Sequence, residues 1–444
     1  MDAREVALLT LNACERQGGW SDGVLKKQIA AAGLDSRDAG LATQLCFGVI
    51  QNRILLDFYL SKFSNIPLRR LEGKVLQALR LGLYQMLFLT RIPHSAAVDQ
   101  SVALTRAHCK NPRAPGMVNA ILRNLERSLD RLPTIPEDDP AEYYATLYSH
   151  PVWLVRELLE TLGSEGTAAF LQADNSQPPI TAMVNTVKTD LEGALEALQA
   201  EGVHGEPHPW LKNCLVLSRS GSLEELDAFQ NGLFYVQDPA SRLAVLALDP
   251  EPGDRVLDMC AAPGGKSFAA AIQMKDQGEI WSCDLHPHKK TLIQKGAQRL
   301  GLTCIRPQTA DGKVRRPEWE GAFDRVLVDA PCSGLGVIRK KPDIRFKDPE
   351  PLAGLLQVQS AILDNAAGYV KPGGVLVYST CTILERENRA VTDAFLAAHP
   401  EFRRESFLLP GPAGEVSGGQ ITLWPQVHGT DGFYICKLRK DGEA

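Results

Sequence analysis

Apolar residues recur every three to four positions along the first part of the chain. This spacing is typical of amphipathic helices. The clearest runs are Leu41-Leu45-Val49, Leu55-Phe58-Leu60 and Val75-Leu79-Leu81-Leu83-Met86-Leu89. Pro67 and Pro93 interrupt the pattern, and Asp38 is a candidate N-cap for the third helix. Residues 1–130 are therefore expected to form an all-α bundle of about six helices.

A proline-rich stretch separates this bundle from a second pattern. Residues 128–140 hold three prolines among acidic residues, which is typical of a linker. Beyond it, apolar runs at 180–185 and 214–217 predict strands, and residues 191–200 predict a helix between them. Residues 131–231 are thus expected to hold the linker and a small α/β subdomain.

Strands and helices alternate from residue 232 to the end of the chain. Strands are predicted at 256–258, 279–283, 304–305, 325–329 and 375–379. Helices are predicted at 266–274, 288–300, 351–370 and 385–398. Such alternation indicates a parallel sheet, and a final hairpin at 422–423 and 433–438 would make its edge mixed. Residues 232–444 are therefore expected to form a Rossmann-like α/β domain.

Composition places the chain among ordinary soluble proteins. It has 444 residues, 44% of them apolar and 23% charged, with no apolar run of membrane-spanning length and no apolar signal sequence at the N-terminus. Its ten cysteines form no Cys-x-x-Cys pair, which argues against a zinc site and against a disulfide framework. We therefore expect a cytoplasmic protein without a metal ion or a membrane partner.

Charge is distributed unevenly. The whole chain carries a net charge of −5, yet residues 1–130 contain 17 Lys and Arg against 11 Asp and Glu. A basic module on an acidic chain indicates an anionic partner. A solvated helical surface explains the same charge equally well.

The segment Val256–Ser267 carries the first chemical signal. A short apolar strand is followed by a glycine turn and by a helix that begins near Lys266, and nucleotide-like ligands bind at such corners. The Gly-Lys-Ser sequence resembles a phosphate-binding loop, but Cys260 stands where that motif requires glycine. A purely structural turn is the second interpretation, and an S-adenosylmethionine site is the third.

Carboxylates follow the predicted strands. Asp284 ends the second strand about 20 residues after the glycine turn, where a carboxylate accepts hydrogen bonds from ribose hydroxyls. Asp311 follows the third strand, where it can receive an adenine amino group. Asp258 lies at the end of the first strand and is expected to order the turn or to face an amine.

Two cysteines follow strands in the motifs Asp329-Ala-Pro-Cys332 and Ser379-Thr-Cys381. One helical crossover joins the two strands, so their carboxyl ends should bring both thiols to the edge that holds the glycine loop. Carbon 5 of cytosine is electron-poor, and addition of a thiolate to carbon 6 makes carbon 5 nucleophilic enough to accept a methyl group. Two thiols beside a methyl donor therefore suit pyrimidine methylation.

Four N-terminal strings occur in order, Arg37-Asp38, Leu79–Gln85, Ile92–Val98 and Val118–Arg123, and the pair of Pro-Cys and Thr-Cys motifs follows them. In these strings and motifs the chain resembles bacterial rRNA cytosine-5 methyltransferases of the RsmB (Sun/Fmu) family, whose catalytic part follows a NusB-like RNA-binding domain. The resemblance implies that Cys381 is the nucleophile, that Cys332 assists proton removal and enzyme release, and that Asp329 engages the base. It also implies S-adenosylmethionine binding by Cys260, Ala261, Ala262, Pro263, Gly264, Gly265, Lys266, Asp284, Asp311 and Asp329.

Ribosomal RNA of the small subunit is the implied substrate, with the target cytosine in a loop or single strand. Five cations follow the Cys332 motif and are expected to contact RNA phosphates: Arg339, Lys340, Lys341, Arg345 and Lys347. Two positions depart from the family, with Met183 in place of an arginine and Phe346 in place of a tryptophan. A tRNA substrate, a non-catalytic NusB-like binding factor and a nucleotide hydrolase are the alternatives, and we expect a monomer.

Overall fold

The computed structural model describes residues 1–17, 21–218, 221–347 and 352–442, and the chain divides into two compact units. The first unit consists of Met1–Ser176 and Lys340–Lys347, and the second of Gln177–Arg339 and Asp348–Ala444.

The first unit is helical. Its helices α1 to α9 span Ala3–Gln17, Ser21–Ala32, Ser36–Gln51, Arg53–Phe63, Gly73–Phe88, His94–His108, Ala114–Glu126, Pro140–Leu147 and Val152–Asp174. Up to residue 127, the described residues form seven α-helices where about six were expected. The N-cap of α3 is Asp35, whose side chain accepts a hydrogen bond from the Asp38 amide, so the cap expected at Asp38 lies three residues earlier.

Helix α5 forms the centre of this bundle. Its residues from Val75 to Met86 are all buried, as expected for a helix that is apolar on nearly every face. The one strongly charged side chain in that run, Arg80, forms two 2.7 Å hydrogen bonds with the Asp57 carboxylate and also contacts Glu15. The pairing compensates the burial of its charge.

Residues 340–347 return from a distant part of the sequence to pack within this helical unit. They include a 3₁₀ helix, Pro342–Phe346. The guanidinium of Arg53 lies 3.4 Å from the centre of the Phe346 ring, so the phenylalanine at 346 makes a cation–aromatic packing contact.

The second unit contains a small antiparallel sheet. Strands β1 to β4 span Ile180–Val184, His204–Pro207, Cys214–Ser218 and Phe234–Val236, in the order β2-β3-β1-β4. Helix α10 (Leu191–Ala200) packs against it, and the short helix α11 (Asp227–Gln230) follows. Because β4 pairs with β1, the small subdomain extends past the boundary expected at residue 231, whereas α8 and α9 belong to the first unit. Met183 is a buried core residue of β1.

A larger mixed sheet follows. Strands β5 to β9 span Arg255–Asp258, Glu279–Asp284, Ile305–Thr309, Phe323–Asp329 and Val370–Thr380, and β10 to β14 span Phe402–Arg404, Phe407–Leu408, Glu415–Val416, Gln420–Leu423 and Phe433–Lys440. Helices α12 to α17 span Pro239–Leu248, Gly265–Gln273, Pro287–Leu300, Leu352–Tyr369, Arg389–Ala398 and Pro425–His428. The strand order is β10-β14-β9-β8-β5-β6-β7, with β13 also paired to β14.

The pairing explains the layers of this domain. Strands β5 to β9 are parallel, and β14 is antiparallel to β9. Their apolar runs are buried because helices cover the sheet. β11 and β12 form a separate two-stranded ladder.

One predicted helix is interrupted. The expected helix at 385–398 consists of a 3₁₀ turn, Glu385–Glu387, and of α16, separated by Asn388 with φ −111° and ψ −101°. The Asn388 side chain accepts a hydrogen bond from Thr380 and donates one to the Thr382 carbonyl, and these contacts hold it out of helical geometry.

Within the described ranges, no helix combines the length and hydropathy needed to cross a bilayer, and no three His, Cys, Asp or Glu side chains lie together in a way that would hold a metal ion.

Candidate active site

The carboxyl ends of β5, β8 and β9 define the candidate site. These strands are neighbours in register, with Asp258 opposite Leu327 and Asp329 opposite Ser379. Parallel pairing therefore brings the segments that follow each strand to one edge of the sheet. Cys332 and Cys381 meet there, with their sulfur atoms 3.3 Å apart. The structure brings together the two thiols that the sequence motifs predicted to converge.

The environment of Cys332 favours its thiol form. The contact with Cys381 and burial raise the pKa of Cys332 well above its usual value, with further contributions from the negative charges of Glu387 and Asp329. A protonated Cys332 can donate a hydrogen bond to the neighbouring sulfur.

Lys266 and Asp329 form an ion pair at the same edge. The Lys266 ammonium donates to the Asp329 carboxylate at 2.7 Å, and the Ser379 hydroxyl donates to the other carboxylate oxygen at 2.9 Å. Burial alone would lower the pKa of Lys266, but Asp329 outweighs it, with smaller contributions from Asp258 and Cys381, so this pKa is raised. The lysine is thus a cation held by a carboxylate at the same edge of the sheet as the thiols.

The glycine turn lies between β5 and α13. The Ala261 amide donates to the Cys283 carbonyl at 2.8 Å, which ties the turn to β6. Gly264 has φ 116°, a conformation that side chains disfavour, and a Cβ atom there would lie 2.4 Å from the Phe268 ring. The first amides of α13 have no partner within the helix, so they are available to an anionic ligand group.

Asp258 is a buried carboxylate with one oxygen engaged. That oxygen accepts from the Ser267 hydroxyl at 2.7 Å, and Ser267 in turn accepts from Ser282. The other oxygen, Oδ1, has no hydrogen-bond partner among the described residues. Burial raises the pKa of Asp258 to about 7. Asp258 therefore orders the turn and leaves one acceptor for a ligand.

Asp284 ends strand β6, and Asp311 follows the neighbouring strand β7. Asp284 is buried and accepts from the His286 amide at 3.2 Å, whereas the half-buried Asp311 accepts from the Lys313 amide at 3.0 Å. The Ala310 amide donates to the Asp284 carbonyl, which holds the two segments together. Both carboxylates thus lie at the same edge of the sheet as the glycine turn.

Two of the five cations expected to bind RNA are committed to the protein interior. Arg339 is 5% exposed and pairs with Asp431 at 2.7 Å and Asp238 at 3.5 Å. Arg345 is fully buried and donates to the carbonyls of Gln51 and Ser149. Neither guanidinium can reach a phosphate without losing these bonds, so the expectation is corrected for both. Lys341 and Lys347 are exposed, and Lys340 is half-buried.

One polar residue beside the thiols, Glu387, was not expected from the sequence. Glu387 is fully buried and accepts hydrogen bonds from Ser333, Gln359 and Thr382, which belong to three different segments. In the sequence, Glu387 lies in a polar run that resembles a solvated helix face. The sequence offers one signal for this hydrogen-bond network, because a hydroxyl residue, Ser333 or Thr382, directly follows each motif cysteine.

The sheet order, the glycine turn and the acidic strand ends define the second unit as a Rossmann-like methyltransferase domain with an added antiparallel subdomain. Comparison with known families agrees with this class. Residues 245–439 match the family described as 16S rRNA methyltransferase RsmB/F, residues 1–127 match the NusB family, and residues 150–224 match the ferredoxin-like domain of RsmF/B-like methyltransferases.

Individual relatives cover nearly the whole chain. The probable ribosomal RNA small subunit methyltransferase B of Bacillus subtilis (strain 168) is 40% identical over 99% of both chains, and ribosomal RNA small subunit methyltransferase B of a Klebsiella pneumoniae strain is 34% identical over 92% of this chain and 91% of its own. The crystal structure of PH0851 superposes with a TM-score of 0.80 and 26% identity over 99% of both chains. A methyltransferase homolog from Pyrococcus horikoshii gives a TM-score of 0.56 and 28% identity over 67% of this chain and 97% of its own. The chain belongs to the RsmB/F family of 16S rRNA methyltransferases, and the family and fold class expected from the sequence are confirmed.

Proposed function

We propose that this protein methylates carbon 5 of a cytosine in small-subunit ribosomal RNA, with S-adenosylmethionine as methyl donor and Cys381 as the covalent nucleophile. The observation that carries the proposal is the 3.3 Å contact between the Cys332 and Cys381 sulfurs at the ligand-binding edge of a methyltransferase sheet. Family membership supports the ribosomal substrate. We further propose that the chain acts in the cytoplasm as a monomer.

The residues at the sheet edge fit S-adenosylmethionine. The unpartnered Oδ1 of Asp258 suits the methionine ammonium group, and the free amides at the start of α13 suit its carboxylate. Asp284 suits the ribose hydroxyls and Asp311 the adenine amino group. Residues Cys260–Lys266 supply the backbone that lines this side of the site. When bound, the cofactor supplies a methyl group on a positively charged sulfur and leaves as a neutral thioether.

The thiol pair divides the work of addition and release. The Cys381 thiolate forms a bond to carbon 6 of the cytosine, and the electrons of the carbon 5–carbon 6 double bond make carbon 5 nucleophilic. Lys266 favours the thiolate because it is a nearby cation. Asp329 holds Lys266 and is placed by Ser379 to engage the base.

Release reverses the addition. After methyl transfer, the proton on carbon 5 passes to Cys332 as the thiol proton of Cys332 passes to the departing Cys381 sulfur. The bond between sulfur and carbon 6 breaks, the ring double bond re-forms, and both cysteines end as thiols. The raised pKa of Cys332 fits this role because it keeps a proton on Cys332 at neutral pH.

The test uses the two cysteine variants with protein-free 16S rRNA and radiolabelled cofactor. Cys381→Ala should abolish methyl transfer, whereas Cys332→Ser should accumulate a covalent protein–RNA adduct that resists denaturation. Mapping 5-methylcytosine in rRNA and tRNA from cells with and without the protein identifies the substrate. Full activity of the Cys381 variant would refute the mechanism, and methylation confined to tRNA would refute the substrate.

A further inference from the structure

Glu387 is a buried carboxylate, and its residue is 0% exposed. Burial of a charge is costly unless hydrogen bonds compensate it. Oε2 accepts from the Ser333 amide at 2.8 Å and from the Gln359 side chain at 3.0 Å, and Oε1 accepts from the Thr382 hydroxyl at 3.2 Å.

These partners adjoin the two thiols. Ser333 follows Cys332 directly, and Thr382 follows Cys381 directly. Their hydroxyls also bond each other at 2.7 Å. Glu387 therefore contacts both cysteine segments at once, although 54 residues separate it from Ser333.

Two further contacts fix the carboxylate and the Cys332 segment. The Gln359 amide that donates to Glu387 also donates to the Pro331 carbonyl at 3.0 Å, on the other side of Cys332. The Tyr378 hydroxyl donates to the Glu387 main-chain carbonyl at 2.7 Å. The Cys332 segment is thus held on both sides by groups that bond Glu387.

We propose that Glu387 is a positioning residue that keeps the Cys332 and Cys381 sulfurs at contact distance for covalent catalysis. The proposal rests on the function proposed above. It adds a residue to that function that neither touches the substrate nor belongs to either cysteine motif.

The charge of Glu387 has a separate effect on Cys332. The groups that face this thiol are Cys381, Glu387 and Asp329, and Tyr378 and Lys266 belong to the same cluster. Cys381, Glu387 and Asp329 each place negative charge near Cys332 when ionised and favour its thiol form. Loss of the Glu387 charge should lower the pKa of Cys332.

Glutamine separates geometry from charge at this position. In Glu387→Gln, the amide oxygen at the Oε2 site accepts from Ser333 and Gln359, and the amide nitrogen donates to the Thr382 hydroxyl. The contacts survive while the charge is lost. Glu387→Ala removes both. Thr382→Val keeps the side-chain shape and removes the Thr382 hydroxyl, which bonds both Glu387 and Ser333. Glu385→Gln is the matched control because Glu385 lies in the same 3₁₀ turn and is exposed.

Two measurements test the proposal. The first is methyl transfer to 16S rRNA, with kcat and the KM of S-adenosylmethionine determined over a pH series. The second needs no RNA and follows oxidation of the Cys332 and Cys381 thiols to a disulfide by diamide, an azo oxidant that takes up the two electrons and two protons. Its rate reports how often the sulfurs meet.

Glu387→Ala should lower kcat by roughly 10- to 100-fold at a nearly unchanged KM, because small displacements of reacting groups cost this much. It should also slow disulfide formation, and Thr382→Val should lie between it and the control. Glu387→Gln should retain kcat at neutral pH. On the alkaline side of the pH profile, its activity should decline at a lower pH than that of the parent, because the pKa of Cys332 is lower in the variant. Rescue by glutamine distinguishes positioning from a general loss of structure.

Equal kcat and equal disulfide rates for Glu387→Ala and Glu385→Gln would overturn the proposal. If Glu387→Ala does not fold, Thr382→Val is the test variant. Equal kcat and equal disulfide rates for Thr382→Val and Glu385→Gln would then overturn the proposal. An unshifted pH profile for Glu387→Gln would overturn the electrostatic part. If no variant or parent methylates RNA but disulfide formation still depends on Glu387, the proposed function fails and the positioning role stands.

Discussion

Arg345 lies in a run of cations that the sequence predicts to contact RNA, but its burial predicts a role in stability instead. The guanidinium donates hydrogen bonds to the carbonyls of Gln51 and Ser149 at 2.6 and 2.9 Å, and to the Asn175 side chain at 3.1 Å. It also lies 3.9 Å from the buried Asp174 carboxylate. Burial lowers the pKa of Arg345 to about 10, so the side chain is still charged at neutral pH.

Arg345→Met keeps most of the apolar length of the side chain and removes all of these contacts. Breaking a buried ionic cluster by removing one partner costs about 3–5 kcal/mol, because the remaining groups stay buried without partners. Domains of about 150–250 residues lose about 2–4 °C in unfolding midpoint per kcal/mol of lost stability. The helical unit of Arg345→Met should therefore unfold roughly 6–20 °C below that of the parent.

Calorimetric unfolding and RNA binding over a salt series check this prediction together. Arg345→Met should leave the dependence of log Kd on log salt concentration unchanged. The control is Lys341→Met, which removes an exposed cation from the same segment. If Lys341 contacts a phosphate, its loss should lower the slope by about 0.7–0.9. An unchanged midpoint with a reduced salt slope in Arg345→Met would refute the structural role of this residue.

Two further predictions concern the cofactor side of the site. The pKa of Asp258 is raised to about 7 in the folded protein, so its contribution to stability is complete below its unfolded pKa of about 4 and is lost as the pH rises through 7. Between pH 5 and pH 7.5, the parent should therefore lose stability relative to Asp258→Asn by up to about 1.4 kcal/mol per pH unit, as measured by unfolding midpoints. A stability difference between the two proteins that stays constant with pH would contradict the raised pKa. Gly264→Ala should cost about 1–3 kcal/mol of stability, because of the positive φ and the Phe268 contact, and should weaken S-adenosylmethionine binding measured by calorimetry. Gly418→Ala, where nothing lies within 4 Å, is the control, and equal cofactor affinity in both variants would count against the role of the glycine turn.

The chemistry-bearing part of the site could be predicted from the sequence. Short apolar runs followed by Asp258, Asp329 and Ser379 predict parallel strands, and the carboxyl ends of parallel strands meet at one edge. The convergence of Cys332 and Cys381 follows from that rule and from the single crossover helix between their strands. The helical N-terminal part was predictable because its apolar period persists over many turns.

The sequence by itself determined the strand–glycine turn–helix corner and the meeting of the two cysteine motifs, because each depends on local patterns and on a general rule of parallel sheets. Only the tertiary structure decided the roles of Arg345 and Glu387. Arg345 finds partners 170 to 294 residues away, and Glu387 finds the segment of Cys332 54 residues away. A charged residue in a polar run has the same local pattern whether it faces water or a buried partner. Its function is set by which distant carbonyls and amides the fold brings to it.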